Sequence, residues 1–255
     1  MKRLLAFFGL CTFALTAQAA IQSKVVHYEH EGAKLTGYLY WDDKVKGKRP
    51  GVMVTHEWWG LNGYAKHRAQ MLAELGYVSF AADMYGDGKV TDKPAQAKEY
   101  MTEITSDPDA WMERASLGLE QLMKSGMVKG DKVAAIGYCF GGGTSLKMAY
   151  NNMPVKAVVS FHGSFPMPPE DSQLKPEVLI LHGEADAFVK PEIVAAWKDK
   201  MTAKGNKFTF VGYEGARHGF TNPGAGEFGI DNLKYDAAAD KDSWQQMQNL
   251  FKRIF

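Results

Sequence analysis

The stretch Gly137-Tyr138-Cys139-Phe140-Gly141-Gly142 decides the fold. It lies between an apolar run at 132–137, read as a strand, and a helical stretch at 144–150. A strand that turns sharply into a helix through small residues is the pattern of a nucleophile elbow, here with sulfur at the nucleophile position. Such a turn strains its central residue, and the flanking glycines let strand and helix approach. A thiol at that point sits at a helix N-terminus, where the dipole favours the thiolate. The N–H of Phe140, the residue after the nucleophile, then serves as one oxyanion donor. The plainer reading of these residues is a glycine-rich turn around a buried cysteine. A dinucleotide-binding fingerprint is excluded, because Cys139 stands where its second glycine must be.

Working outward, short apolar runs at 51–55, 77–82, 155–160, 178–182 and 208–213 read as further buried strands. Helical periodicity occupies 65–75, 95–104, 111–124, 191–203 and 236–254, with Pro191 suited to a first helical turn. Strand and helix therefore alternate, which predicts an α/β architecture: a mostly parallel central sheet with helices on both faces. Ahead of it, period-two alternation at 25–30 and 35–41 flanks Glu31-Gly32 and predicts an N-terminal β-hairpin. No repeat or long linker divides the chain, so one catalytic-size domain is expected over 20–255.

The composition suits such a domain. In 255 residues, 45% are hydrophobic and 23% charged, which excludes a disordered chain. Lys plus Arg number 30 against 29 Asp plus Glu, so no basic surface points to nucleic acid, and a small molecule is the expected partner. Residues 1–19 read as a signal peptide: Lys2-Arg3, an apolar run over 4–15, then Ala17-Gln18-Ala19. That run is shorter than the roughly 20 residues needed to span a bilayer, so cleavage after Ala19 and a periplasmic or secreted protein free of the membrane are expected. Cleavage also removes Cys11, which leaves Cys139 without an internal disulfide partner.

A nucleophile needs a base and a group to orient it. In this architecture they follow in the order nucleophile, acid, histidine, each beyond a strand. Asp186 follows the 178–182 run and His218 follows the 208–213 run. A thiol beside an imidazole forms a nucleophilic ion pair, and a carboxylate on the far ring nitrogen fixes the tautomer. Taken singly, Asp186 is a turn residue and His218 a loop histidine; their joint order is what points to a triad.

With these residues in place, the sequence resembles the dienelactone hydrolase family of α/β-hydrolases over nearly all of 20–255. Beyond the elbow, the likeness rests on Thr55-His56-Glu57-Trp58-Trp59-Gly60, Ala82-Asp83-Met84-Tyr85-Gly86, Leu181-His182-Gly183-Glu184-Ala185-Asp186 and His218-Gly219-Phe220. The resemblance implies that Glu57 contacts the resting cysteine and accepts its proton when substrate arrives, and that the Trp58 N–H is the second oxyanion donor. A carboxylate beside the thiol would disfavour a standing, oxidation-prone thiolate. His56-Glu57 does not open a zinc motif, since position 60 is glycine, and the other histidines show no ligand spacing. No metal and no cofactor are expected. Trp59, Tyr85 and Phe220, with Trp58, fall in loops at the active end of the sheet, where they are either pocket walls or ordinary packing. His162 falls beyond another strand at that end. The segment 231–242 reads as a solvated face without chemistry.

The activity implied is hydrolysis of an ester or lactone through an acyl-Cys139 intermediate. Thioester hydrolysis or acyl transfer would use the same residues, and a non-catalytic redox sensor or ligand-binding module would keep the thiol for another purpose. The resemblance also implies which substrate is not favoured. Family members hold a substrate carboxylate with two arginines, and put a serine directly after the catalytic histidine. The positions matching the arginines here are Asp87 and Asn222, and the one matching the serine is Gly219.

Overall fold

The computed structural model describes residues 21–255; the expected signal peptide lies outside the described residues. Eight strands form one sheet: β1 (Ile21–His30), β2 (Ala33–Asp42), β3 (Arg49–Thr55), β4 (Val78–Ala82), β5 (Val128–Tyr138), β6 (Ala157–Phe161), β7 (Glu177–Gly183) and β8 (Phe208–Tyr213). Their order across the sheet is β1-β2-β4-β3-β5-β6-β7-β8. The β1–β2 hairpin pairs antiparallel around Glu31-Gly32, and β2 joins β4 antiparallel. Every remaining pair is parallel. This is the mostly parallel sheet with an N-terminal hairpin that the alternation predicts, and the α/β-hydrolase arrangement that the resemblance implies.

Among the described residues, five α-helices lie between strands, α1 (Gly63–Glu74), α2 (Pro94–Thr105), α3 (Pro108–Lys124), α4 (Phe140–Tyr150) and α5 (Pro191–Ala203), and α6 (Ala237–Ile254) follows β8. Proline opens α2, α3 and α5, where a missing N–H costs no helical bond. Side chains of Asn62, Asp107 and Asp236 cap α1, α3 and α6. Strand side chains alternate between the two faces. Val52, Val54, Ala134, Ile136, Val159 and Leu181 pack with α1 and α6, while Met53, Phe80, Val133, Ala135 and Val158 pack with α3, α4 and α5. Both faces are thus covered, so the central strands are apolar throughout.

Several boundaries differ from the sequence expectation: β1 and β5 each start four residues earlier than expected, and one helix start bears on the site. The fourth helix starts at Phe140 rather than Thr144, so Gly141, Gly142 and Gly143 are helical despite their poor propensity. Contact, not propensity, decides this. A Cβ on Gly141 would stand 2.4 Å from the Thr55 carbonyl oxygen, and one on Gly137 would stand 1.9 Å from that of Gly141. The Gly141 N–H donates to the His56 carbonyl at 3.0 Å, and the Thr55 hydroxyl lies 3.0 Å from the Gly141 carbonyl. Between them Cys139 takes φ 54° and ψ −115°, a left-handed backbone that a non-glycine residue adopts only under constraint.

Gly141→Ala should therefore destabilise the protein by about 3 kcal/mol or more, as overpacking against immobile backbone does. Gly63→Ala, where an added Cβ meets nothing within 4 Å, should be near neutral. Urea unfolding of the two variants tests the comparison; equal midpoints would show that the elbow tolerates the extra atom.

Candidate active site

The ends of the parallel strands carry the candidate residues to one edge of the sheet, where ligands bind in open α/β folds. Glu57 lies two residues beyond β3, Cys139 directly beyond β5, Asp186 three residues beyond β7 and His218 five beyond β8. Two crossed backbone bonds pin the last two loops together: Glu184 N–H to Tyr213 O and Ala185 N–H to Ala216 O, both 3.0 Å.

The structure brings Cys139, His218 and Asp186 into line. His218 Nδ1 donates to Asp186 Oδ2 at 2.6 Å, which leaves Nε2 for the Cys139 thiol, whose field acts on the ring. Both His218 and Asp186 are 5% exposed, and Cys139 is half-buried. Burial alone would lower the His218 pKa, but the sulfur of Cys139 and the Asp186 carboxylate outweigh it and hold it up at about 10. Burial likewise opposes ionisation of Asp186, yet bonds from His218, Asn232 and the Phe188 N–H keep it below the usual carboxylate range. The site is built to carry an imidazolium.

Glu57 is buried beside these groups, with a different partner from the one the resemblance implies. Its Oε2 accepts from Asn222 Nδ2 at 2.8 Å, while the thiol is engaged by His218. Asn222 can do this because its own carbonyl oxygen is turned back onto the Gly224 N–H at 3.0 Å. Burial pushes the Glu57 pKa up to about 7, against the pull of Asn222, His218 and Arg68.

The two amides expected to bind an oxyanion are oriented by their neighbours. Phe140 is the first residue of α4, so its N–H has no intrahelical acceptor. The Trp58 N–H shares a peptide plane with the Glu57 carbonyl, which accepts from His56 Nδ1 at 2.5 Å and from the Gly60 N–H at 3.3 Å. His56 Nε2 accepts from the Met84 N–H at 3.2 Å, which fixes its tautomer, and burial lowers its pKa so that it stays neutral. His56 thereby holds the loop that carries Glu57 and Trp58.

Of the expected pocket aromatics, Trp59 is stacked on Phe228 at 3.9 Å between ring centres and Phe220 is fully buried against His162 and Tyr213. These two are packing. Tyr85 is also buried, but it faces Cys139, and its hydroxyl donates to the Trp58 carbonyl at 3.1 Å. Phe188, which sequence reasoning missed, is 51% exposed with its ring 5.1 Å from that of His218.

The segment 231–242 corrects the expectation of a solvated face without chemistry. Asn232 Nδ2 donates to Asp186 Oδ1 at 3.1 Å, its carbonyl oxygen accepts from the Ala187 N–H at 2.9 Å, and Asp240 accepts from buried Arg68 at 2.5 Å. No three or more His, Cys, Asp or Glu side chains are grouped to hold a metal ion among the described residues.

Residues 35–255 match the family model described as the dienelactone hydrolase family. The chain belongs to that family. Among solved structures it is similar to P91, a dienelactone hydrolase-like promiscuous phosphotriesterase from metagenomic libraries, at 38% identity and TM-score 0.88, over 92% of this chain and 99% of that one. It is similar to "m3DLH" at 34% identity with the same TM-score and coverage. A relative from Aquifex aeolicus named "Putative carboxymethylenebutenolidase" is 27% identical over 90% of this chain and 97% of its own. The protein is thus a member of a hydrolase family whose fold and sheet edge it shares.

The Glu57 pKa carries a sign. A carboxyl raised from 4.5 unfolded to about 7 folded contributes stability that is complete below about 4.5 and is lost as pH rises through about 7. Glu57→Gln should therefore gain on the order of 2–3 kcal/mol over wild type at pH 8 and nothing at pH 4.5. Thermal melts across that range test it; a pH-independent difference would refute the raised pKa.

Proposed function

We propose that this protein cleaves an uncharged carboxylic ester or lactone through a thioester on Cys139. The observation that carries the reading is His218 lying between the elbow thiol and the Asp186 carboxylate. With the thiol proton held on His218 Nε2, the sulfur attacks the carbonyl carbon while Asp186 stabilises the imidazolium. The developing oxyanion meets the Phe140 and Trp58 N–H groups. Collapse breaks the C–O bond, the alcohol leaves with the proton from His218, and water, deprotonated by the same ring, releases the acid. In a lactone the departing alcohol stays tethered. Glu57, poised near neutrality, is placed to exchange a proton beside the triad. Export after cleavage at Ala19 belongs to the same proposal.

An uncharged substrate is favoured because the available cations are occupied. Lys89 Nζ lies 2.7 Å from Glu103, Arg217 Nη1 lies 3.2 Å from Asp231, and Arg114 Nη1 donates to the Met84 and Tyr85 carbonyls. Asn222 is committed to Glu57. The same commitment of Lys89, Arg217 and Arg114 to other groups suits a neutral phosphotriester, the substrate class named for P91, as a second reading.

Cys139→Ala should lower turnover of activated aryl esters by at least about a thousandfold while the melting temperature changes little, and wild type should show an acyl adduct on Cys139 by mass. Wild-type turnover by the variant would end the covalent mechanism. A neutral ester should be preferred, or equalled, over its carboxylate-bearing counterpart, with little effect of salt. A strong anion preference that fades with added salt would refute the uncharged class.

A further inference from the structure

Under the loop that carries His218 lies a buried arginine that the proposed chemistry does not use. Arg68, on α1, is 4% exposed. Its Nη2 donates to the Thr221 carbonyl and, at 2.5 Å, to Asp240 Oδ1, and its Nε donates to the Tyr64 hydroxyl at 3.2 Å. The guanidinium also lies 5.3–5.6 Å from the ring centres of Tyr64, Tyr138 and Trp244. A guanidinium out of water is costly unless it is paired and fully hydrogen-bonded, and an apolar residue could fill this helix face as its neighbours Ala65, Ala69 and Leu72 do.

Thr221 joins that buried charge to the site. Its hydroxyl is 2.5 Å from the Tyr64 hydroxyl and 2.7 Å from His162 Nε2, and the His162 ring stands edge-on to His218 at 5.2 Å. The next residue, Asn222, holds Glu57, and His218 lies three residues earlier in the same strap. Between them Gly219 has φ 70°, a conformation open to glycine, so the strap has little stiffness of its own. Its far side is fixed by backbone bonds, Lys234 N–H to His218 O and Asp236 N–H to Phe220 O.

We infer that Arg68 is a positioning residue: clamped by Asp240, its guanidinium fork holds Thr221 and so sets where His218 and Asn222 stand relative to Cys139 and Glu57. Arg68 touches no reacting atom. It acts on alignment, where a displacement of about 1 Å can cost a hundredfold in rate. The inference rests on the proposed triad, so its test needs a readout independent of turnover.

The experiment compares Arg68→Met, Arg68→Lys and Asp240→Asn with wild type. Ester kinetics are measured together with the pH profile of iodoacetamide labelling at Cys139. Ionisable groups near the thiol include His218 and Tyr85, with Glu57, Asp186 and His162 acting on His218 and His56 packed on Phe140. Arg68→Met should lower kcat by 10- to 100-fold with KM within about threefold, and should slow labelling at neutral pH severalfold as the imidazole leaves its place beside the sulfur. Arg68→Lys keeps the charge but not the fork, so it should show the same changes in smaller degree, as should Asp240→Asn. Lower melting temperatures with unchanged labelling and unchanged kcat per folded molecule would make Arg68 purely structural and overturn the inference. Full wild-type behaviour of Arg68→Lys would assign the effect to charge rather than position and overturn it too. If Arg68→Met does not fold, the other two variants decide by the same criteria. A labelling shift in an enzyme that cleaves no ester would refute the proposed function and leave the positioning role standing.

Discussion

The site depends on one contact, the backbone of Gly141 pressed against the carbonyls of Thr55 and His56. That contact joins the start of α4 to the end of β3. It brings Cys139 and the Phe140 N–H, which belong to one loop, beside Glu57 and the Trp58 N–H, which belong to another. The strained backbone at Cys139 and the helical run of three glycines are both consequences of the same approach. Strain of this kind persists only where the surroundings over-determine it, and here the β5–β6 ladder continues into the elbow through Cys139 N–H to Phe161 O at 3.0 Å.

Around this frame the electrostatics follow from burial and pairing. His218 has a carboxylate on one nitrogen and the thiol on the other, so its proton is held to about pH 10. Glu57 has only an amide and more distant cations to offset its burial, and so titrates near 7. Between those values a charged imidazole coexists with an ionised Glu57, and a change in either proton alters the field at the other. Groups whose environments push their proton affinities apart are what acid–base chemistry near neutrality requires.

The sequence made the frame legible because its signals are local. Alternation of short apolar runs with helical periodicity placed every strand and helix within a few residues, and the elbow with Asp186 and His218 in order marked three of the residues that meet. What escaped were pairings between distant segments. Asn222 reaches Glu57 across 165 residues, Arg68 reaches Asp240 across 172, and Asn232 reaches Asp186 across 46. No local pattern encodes these. Arg68 did leave a trace, a cation in register with Ala65, Ala69 and Leu72 on the apolar face of α1. For Trp59 and Phe220 the ambiguity was physical, because an aromatic in an active-end loop packs inward or faces the pocket according to partners such as Phe228 that lie far along the chain.

The distribution of charge separates this protein's site from one that captures an anion. A carboxylate substrate is held best by a desolvated, bidentate arginine at the pocket. Here the fully desolvated guanidinium lies beneath the site on α1, where Asp240, Thr221 and three aromatic rings surround it. Arg217 and Lys89, nearer the loops, are spent on Asp231 and Glu103. With Arg68 in the inferred positioning role, this cationic charge serves the alignment of the loops rather than the recognition of a ligand. Selectivity is left to shape and apolar contact, for which the half-exposed ring of Phe188 beside His218 is the surface at hand. Discrimination of that kind is shallow, since one methylene in an apolar pocket is worth only about 1–3 kcal/mol. On the proposed reading, a site organised this way accepts a range of uncharged acyl groups, its chemistry fixed more tightly than its substrate.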